Sequence, residues 1–83
     1  MTISATIIAF NEEDKIGPAI KSLKGLADEI IVVDSGSYDK TAETAEKLGA
    51  RVYFRKFDNF ANQKNWAVSK TNNYWILSLD ADE

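Results

Sequence analysis

Asp80, Asp82 and Glu83 stand directly after the apolar run Trp75-Ile76-Leu77-Ser78-Leu79. A buried strand that empties into an Asp-x-Asp cluster places hard carboxylate oxygens at a sheet edge, where a divalent cation and a phosphorylated ligand can meet. Carboxylates suit Mg2+ or Mn2+, and two aspartates one residue apart project differently from a strand end, so that one can hold metal while the other orients ribose or water. Other polar groups also follow apolar runs. Asn11-Glu12-Glu13 comes after Ala5-Thr6-Ile7-Ile8-Ala9-Phe10, Asp34-Ser35-Gly36-Ser37 after Ile30-Ile31-Val32-Val33, and Arg55-Lys56 after Arg51-Val52-Tyr53-Phe54. The chain has neither Cys nor His. Disulfides, thiolate metal sites, a Cys nucleophile and the usual neutral-pH base are therefore excluded, which leaves carboxylates, Lys, Tyr or a metal to do any chemistry.

The elements that must position these groups alternate in type. The apolar runs are short, rich in β-branched or aromatic residues and mostly continuous, as suits parallel strands covered on both faces. Between them, helical stripes run through Ile16, Ile20 and Leu23, through Thr41, Ala45 and Leu48, and through Phe60, Lys64, Ala67, Val68 and Thr71. The order is βαβαβαβ, and right-handed crossovers make it an α/β open parallel sheet with helices on both faces. Pro18 is expected near the start of the first helix, with Asn11 to Lys15 as a turn before it. Gly25 and Gly49 are expected stops, Ser37 or Asp39 a cap for the second helix, and Asn59 a cap for the third. In a parallel sheet the four polar groups share the carboxyl edge, where open α/β sheets bind ligands.

Ten Lys plus Arg stand against thirteen Asp plus Glu in 83 residues, a formal charge of -3. No basic field argues for nucleic acid. The start has no positive n-region, and its apolar stretch is too short for a signal peptide or membrane span, so a cytoplasmic location is expected. A domain of this size buries only about 60 to 65% of its unfolded surface and is marginally stable alone. A piece of a longer protein is expected.

The stretches Ile8-Ala9-Phe10-Asn11-Glu12-Glu13, Val32-Val33-Asp34-Ser35-Gly36-Ser37 with Asp39 and Thr41, and Leu77-Ser78-Leu79-Asp80-Ala81-Asp82-Glu83 together resemble the nucleotide-binding half of family 2 glycosyltransferases. Gln63-Lys64-Asn65 is further similar to bacterial lipopolysaccharide-core glucosyltransferases. The resemblance spans residues 1–83 and implies a GT-A fold with strand order 3-2-1-4, ending just after the family's DxD motif. It also implies roles. Asp34 would accept a hydrogen bond from the base of a nucleotide-sugar donor, with UDP-sugar the expected class, while Phe10, Asn11 and Glu12 would lie in the same donor-binding group. Lys64 and Asn65 would face the nucleotide or its phosphates. Asp80 would lie near ribose and metal, and Asp82 would ligate the Mg2+ or Mn2+ that bridges the diphosphate. Transfer to an acceptor hydroxyl, saccharide or glycolipid, would be metal-assisted and inverting. The catalytic base would lie downstream of Glu83, leaving none within this stretch. A lipid-linked acceptor would bring the full-length protein to the inner face of the membrane.

Simpler readings stand beside these. The terminal acids could be solvated, Asp34 could serve only a turn and cap, and Asn11-Glu12-Glu13 could only complement a helix dipole. Arg55 and Lys56 read as surface charges. Tyr53, Phe54, Phe57, Phe60, Trp66, Tyr74 and Trp75 read as core and helix-sheet packing. Where family members commonly show Ser-Thr-Asp-Gly-Thr, this chain has Ser37-Tyr38-Asp39-Lys40-Thr41, and Lys40 lacks a glycine's freedom at positive φ. A receiver-like Mg2+-binding module would want an acid where Arg55 and Lys56 stand. A dinucleotide-binding Rossmann domain would want Gly-x-Gly-x-x-Gly after the first strand, and none is there. A nucleotide-sugar-binding piece without activity of its own is the closer alternative.

Overall fold

Continuous β-branched runs and intervening amphipathic stretches resolve into β1 (Ile3–Ala9), α1 (Glu13–Leu23), β2 (Glu29–Asp34), α2 (Thr41–Lys47), β3 (Arg51–Phe54), α3 (Phe60–Ser69) and β4 (Trp75–Asp80). These come from a computed structural model that describes residues 2–72 and 75–80, with Asp80 described by its backbone alone. Every strand pairing is parallel, and the order is β3-β2-β1-β4. The architecture and strand order expected from the sequence are therefore those observed.

Strand alternation divides the core between the two faces. Ala5, Ile7 and Ala9 of β1 join Val32 of β2 on one face, packed with Ile16, Ile20 and Leu23 of α1 and Ala45 of α2. On the other face Ile31 and Val33 pack with Ala67 of α3, with Tyr53 and Trp66 against them. Burial of Ile16 and Ile20 is complete, and each contributes on the order of 2 kcal/mol relative to exposure.

Several local expectations are corrected. Helix α1 starts at Glu13 and carries Pro18 inside it, on its exposed side. The hydrogen bond that Pro18 cannot donate would have gone to the Asp14 carbonyl, which can turn to water, while the buried Ile16, Ile20 and Leu23 hold the helix down. Helix α3 buries Gln63 and Ala67, whereas Phe60 and Val68 of the expected stripe are exposed. Aliphatic side chains already fill the small core, and of the aromatics only Tyr53 and Trp66 pack against it; Phe54, Phe57, Phe60 and Trp75 are exposed and Tyr74 lies outside the described residues. The residue at the N-cap position of α2 is Lys40, but Asp39, one of the two expected caps, accepts the Thr41 N–H at 3.0 Å, while the Ser37 hydroxyl goes to Asp34. Gly25 and Gly49 follow their helices at φ 89° and 93°, and Asn59 caps α3 by accepting from the Asn62 N–H at 2.8 Å, as expected.

At the amino edge of the sheet one carboxylate gathers several strands. Glu29 accepts from the Ser4 hydroxyl at 2.7 Å, from the Asn72 backbone N–H at 3.0 Å and from the Asn72 side chain at 3.1 Å, and lies 3.5 Å from the Arg51 guanidinium. Burial pushes its pKa up, but the Asn72 N–H, the Ser4 hydroxyl, Arg51 and the Asn72 side chain together hold it below the ordinary 4.5. A depressed folded-state pKa gives stability that is present above the ordinary value and lost as pH falls through the depressed one. Urea-unfolding midpoints of the wild type and Glu29→Gln should therefore converge between about pH 6 and about pH 3. Parallel pH profiles for the two would contradict this role.

Candidate functional site

Strand β1 is central, with β2 on one side and β4 on the other. Its last residue, Ala9, pairs with Asp34, and its neighbour Ile8 pairs with Asp80. The two aspartates thus bracket the carboxyl end of β1, with backbones two strand spacings, about 10 Å, apart. Asn11 and Glu12 continue from β1, and Arg55 continues from β3, so all of these positions share one edge.

Asp34 is 6% exposed. Its Oδ2 accepts from the Gly36 N–H at 3.2 Å and the Ser37 N–H at 2.9 Å, and its Oδ1 accepts from the Ser37 hydroxyl. The carboxylate therefore holds its own turn closed, in the manner of an Asx turn. Gly36 is required there: it sits at φ 103°, and a Cβ on it would come 3.2 Å from the Phe54 ring.

The β2–α2 loop is stitched to the β1–α1 loop. Asn11, itself at φ 53°, donates its N–H to the Ser37 hydroxyl oxygen at 2.8 Å and accepts from the Tyr38 N–H at 2.7 Å. The Glu12 N–H donates to the Thr41 hydroxyl at 2.8 Å, and the Glu13 N–H to the Asp39 carboxylate at 3.2 Å. Asp39 also accepts from the Thr41 hydroxyl and backbone N–H. The Thr41 hydroxyl, against desolvation, and then the Thr41 and Glu13 N–H groups hold the Asp39 carboxyl below its ordinary range. Asp39 thus serves the first turns of both α1 and α2, which suits a negative charge at helix N-termini. Lys40 lies at φ -90°. Where the family commonly has glycine, this loop needs none, and the larger Tyr38 is 92% exposed.

Phe10 is half exposed and meets Tyr38 edge to face, with ring centroids 6.3 Å apart. Glu12 is half-buried, and its carbonyl accepts from the Lys15 and Ile16 N–H groups of α1. Lys64 and Asn65 lie exposed on α3. Asp82 and Glu83 lie outside the described residues, and the side chain of Asp80 does as well. Among the described residues no three His, Cys, Asp or Glu side chains group to hold a metal ion.

Arg55, Gln63 and Ser37 have structural roles not expected from the sequence. Arg55 is no mere surface charge: its guanidinium donates to Gln63 at 2.7 Å and to Asp58 at 3.0 Å. Arg55, with the Asn62 side chain and the Asn59 N–H, holds the Asp58 carboxyl well below its usual range. Gln63 shares a helical face with Ala67 at i,i+4 spacing, which was the available signal. Ser37 three residues after Asp34 was the signal for the closed turn. Among the described residues, a cleft of about 550 Å³, lined by Lys24, Asp28, Glu29, Arg51 and Asn72 among others, opens at the amino edge.

Comparison with known proteins agrees with this geometry. An uncharacterized glycosyltransferase of Rickettsia conorii is 48% identical over 81 residues, covering 98% of this chain and 29% of its own length. A lipopolysaccharide core biosynthesis glycosyltransferase of Rhizobium meliloti is 36% identical over 88 residues, covering all of this chain and 32% of its own length. The chain thus spans about a third or less of these relatives. The crystal structure of glucosyl-3-phosphoglycerate synthase from Mycobacterium tuberculosis in complex with Mn2+ and UDP-glucose superposes with a TM-score of 0.80 at 32% identity, over 98% of this chain and 33% of that one. The parallel sheet in the order β3-β2-β1-β4 is accordingly that of the GT-A glycosyltransferases. The glycosyl transferase family 2 model matches residues 4–83, and the chain belongs to that enzyme family.

Proposed function

We propose that the carboxyl-edge rim binds a nucleoside-diphosphate sugar, UDP-sugar by preference, and that residues 1–83 form the donor-binding half of an inverting glycosyltransferase. The observation that carries this reading is the nearly buried Asp34 carboxylate on the edge that also receives Asp80. The synthase structure with Mn2+ and UDP-glucose supports the ligand class.

In this reading Asp34 accepts a hydrogen bond from the base N–H through a lone pair that its own turn leaves unused. Phe10, Asn11 and Glu12 contribute the adjoining wall, and Lys64 and Asn65 lie toward the phosphates. Departure of the nucleoside diphosphate leaves about two to three negative charges on the oxygens of the leaving group, and stabilising them is the main chemical task. The donor set fits a divalent cation: Asp80 and Asp82 offer hard oxygens, and Mg2+ or Mn2+ bound there would neutralise that charge without proton transfer. Removal of the acceptor proton falls to a base outside residues 1–83.

The acceptor is a saccharide or glycolipid, a reading favoured by the lipopolysaccharide-core relative. The enzyme works in the cytoplasm, reaching the inner membrane face where the acceptor is lipid-linked. Among the described residues no helix is long and apolar enough to cross a membrane.

Calorimetric titration with UDP should show binding that strengthens when Mn2+ is added, and Asp82→Ala should abolish the Mn2+-dependent part alone. Binding of UDP indifferent to Mn2+, or unchanged by Asp82→Ala, would remove the metal assignment. Asp34→Ala leaves the Gly36 and Ser37 N–H groups without their acceptor. It should lower stability by about 1–3 kcal/mol and weaken UDP binding with or without metal. Undiminished affinity in Asp34→Ala would take the base-recognising role away from Asp34.

A further inference from the structure

We infer that Gln63 is a positioning residue for the donor rim, acting through Ser35 and Arg55 to set the turn that carries Asp34; the inference rests on the nucleotide-sugar reading of that rim. Gln63 is wholly buried on α3, on the face it shares with Ala67. An apolar side chain would fill this buried position equally well, so packing alone does not account for a carboxamide. Its hydrogen bonds do. Gln63 Oε1 accepts from the Arg55 guanidinium at 2.7 Å, while Nε2 donates to the Ser35 hydroxyl at 3.2 Å and to the Arg55 carbonyl at 3.1 Å.

Both partners flank Asp34. Ser35 is the next residue, and its N–H donates to the Ala9 carbonyl of β1 at 3.0 Å, while the Arg55 N–H donates to the Asp34 carbonyl at 3.0 Å. The amide of Gln63 therefore links α3 to Ser35 after β2 and to Arg55 after β3, and through the Ser35 N–H to the end of β1. Arg55 is fixed in turn by Asp58, which also accepts from the Asn62 side chain and the Asn59 N–H at the start of α3. Loss of Gln63 would remove its support from both Ser35 and Arg55 at once, leaving the Asp34 carboxylate less well aimed at an incoming base N–H.

The test is UDP affinity of the chain, measured calorimetrically for wild type, Gln63→Leu, Ser35→Ala and Ala67→Gly below each variant's melting midpoint. Gln63→Leu should weaken UDP binding about tenfold and Ser35→Ala about threefold, as expected for loss of buried positioning hydrogen bonds. Ser35→Ala removes a single link and keeps the test open if Gln63→Leu does not fold. Ala67→Gly weakens the same helix without touching these bonds, and should lower the midpoint while UDP affinity stays within about twofold. Wild type that binds UDP while Gln63→Leu and Ser35→Ala bind equally well overturns this inference alone. An Ala67→Gly loss as large as that of Gln63→Leu does the same, by showing general loosening of α3. Wild type that binds no UDP overturns the reading of the rim, and this inference with it.

Discussion

Parallel pairing of β1 on both of its sides is the constraint on which everything else rests. Because β2 and β4 run in its own direction, the carboxyl ends of all three strands lie at one edge. A shift of either register by one residue would exchange the two faces of a strand and pull Ile7 or Val32 out of the core. The aliphatic faces that stabilise the sheet therefore also fix the height at which Asp34 and Asp80 arrive. Fold stability and site geometry here have the same cause.

The two edges of the sheet are organised differently. At the amino edge Glu29 joins Ser4, Arg51 and Asn72, which tie together the starts of β1, β2 and β3 and the approach to β4. At the carboxyl edge the hydrogen bonds run between loops: Asn11 to Ser37, Glu12 to Thr41 and Glu13 to Asp39. With the bonds that Asp34 receives from Gly36 and Ser37, they fasten the Asp34 turn to the β1–α1 loop, which is what the proposed donor site would need. A carboxylate held in this way costs little reorganisation on binding, the advantage of a preorganised polar site. Phe10, Tyr38, Phe54 and Phe57 stay exposed, since the buried aliphatic residues already fill the space between sheet and helices.

Much of this was legible from residue order. Continuous runs such as Ile30 to Val33 announce strands covered on both faces, and their alternation with helical stripes leaves a parallel sheet as the economical solution. Caps and stops at Asn59, Gly25 and Gly49 were readable because backbone geometry alone selects those residue types. Pro18 misled because its missing N–H matters only where the partner carbonyl cannot reach water, a tertiary property. The stripe on α3 misled for a related reason: Gln63 counts as polar in any periodicity, and its burial depends on Arg55 and Ser35, which lie 8 and 28 residues away. Arg55 read as a surface charge because nothing local to it reveals the carboxamide it meets.

The nucleotide is proposed to bind at the carboxyl edge, although a cleft lined by Glu29, Arg51 and Asn72 lies at the opposite edge. Backbone amide NMR shifts recorded while UDP is added to the chain with Mn2+ separate the two most directly. The largest changes should fall on Asn11 and on Ser35 to Tyr38. Changes concentrated on Glu29, Arg51 and Asn72, with the Asp34 turn unmoved, would contradict it.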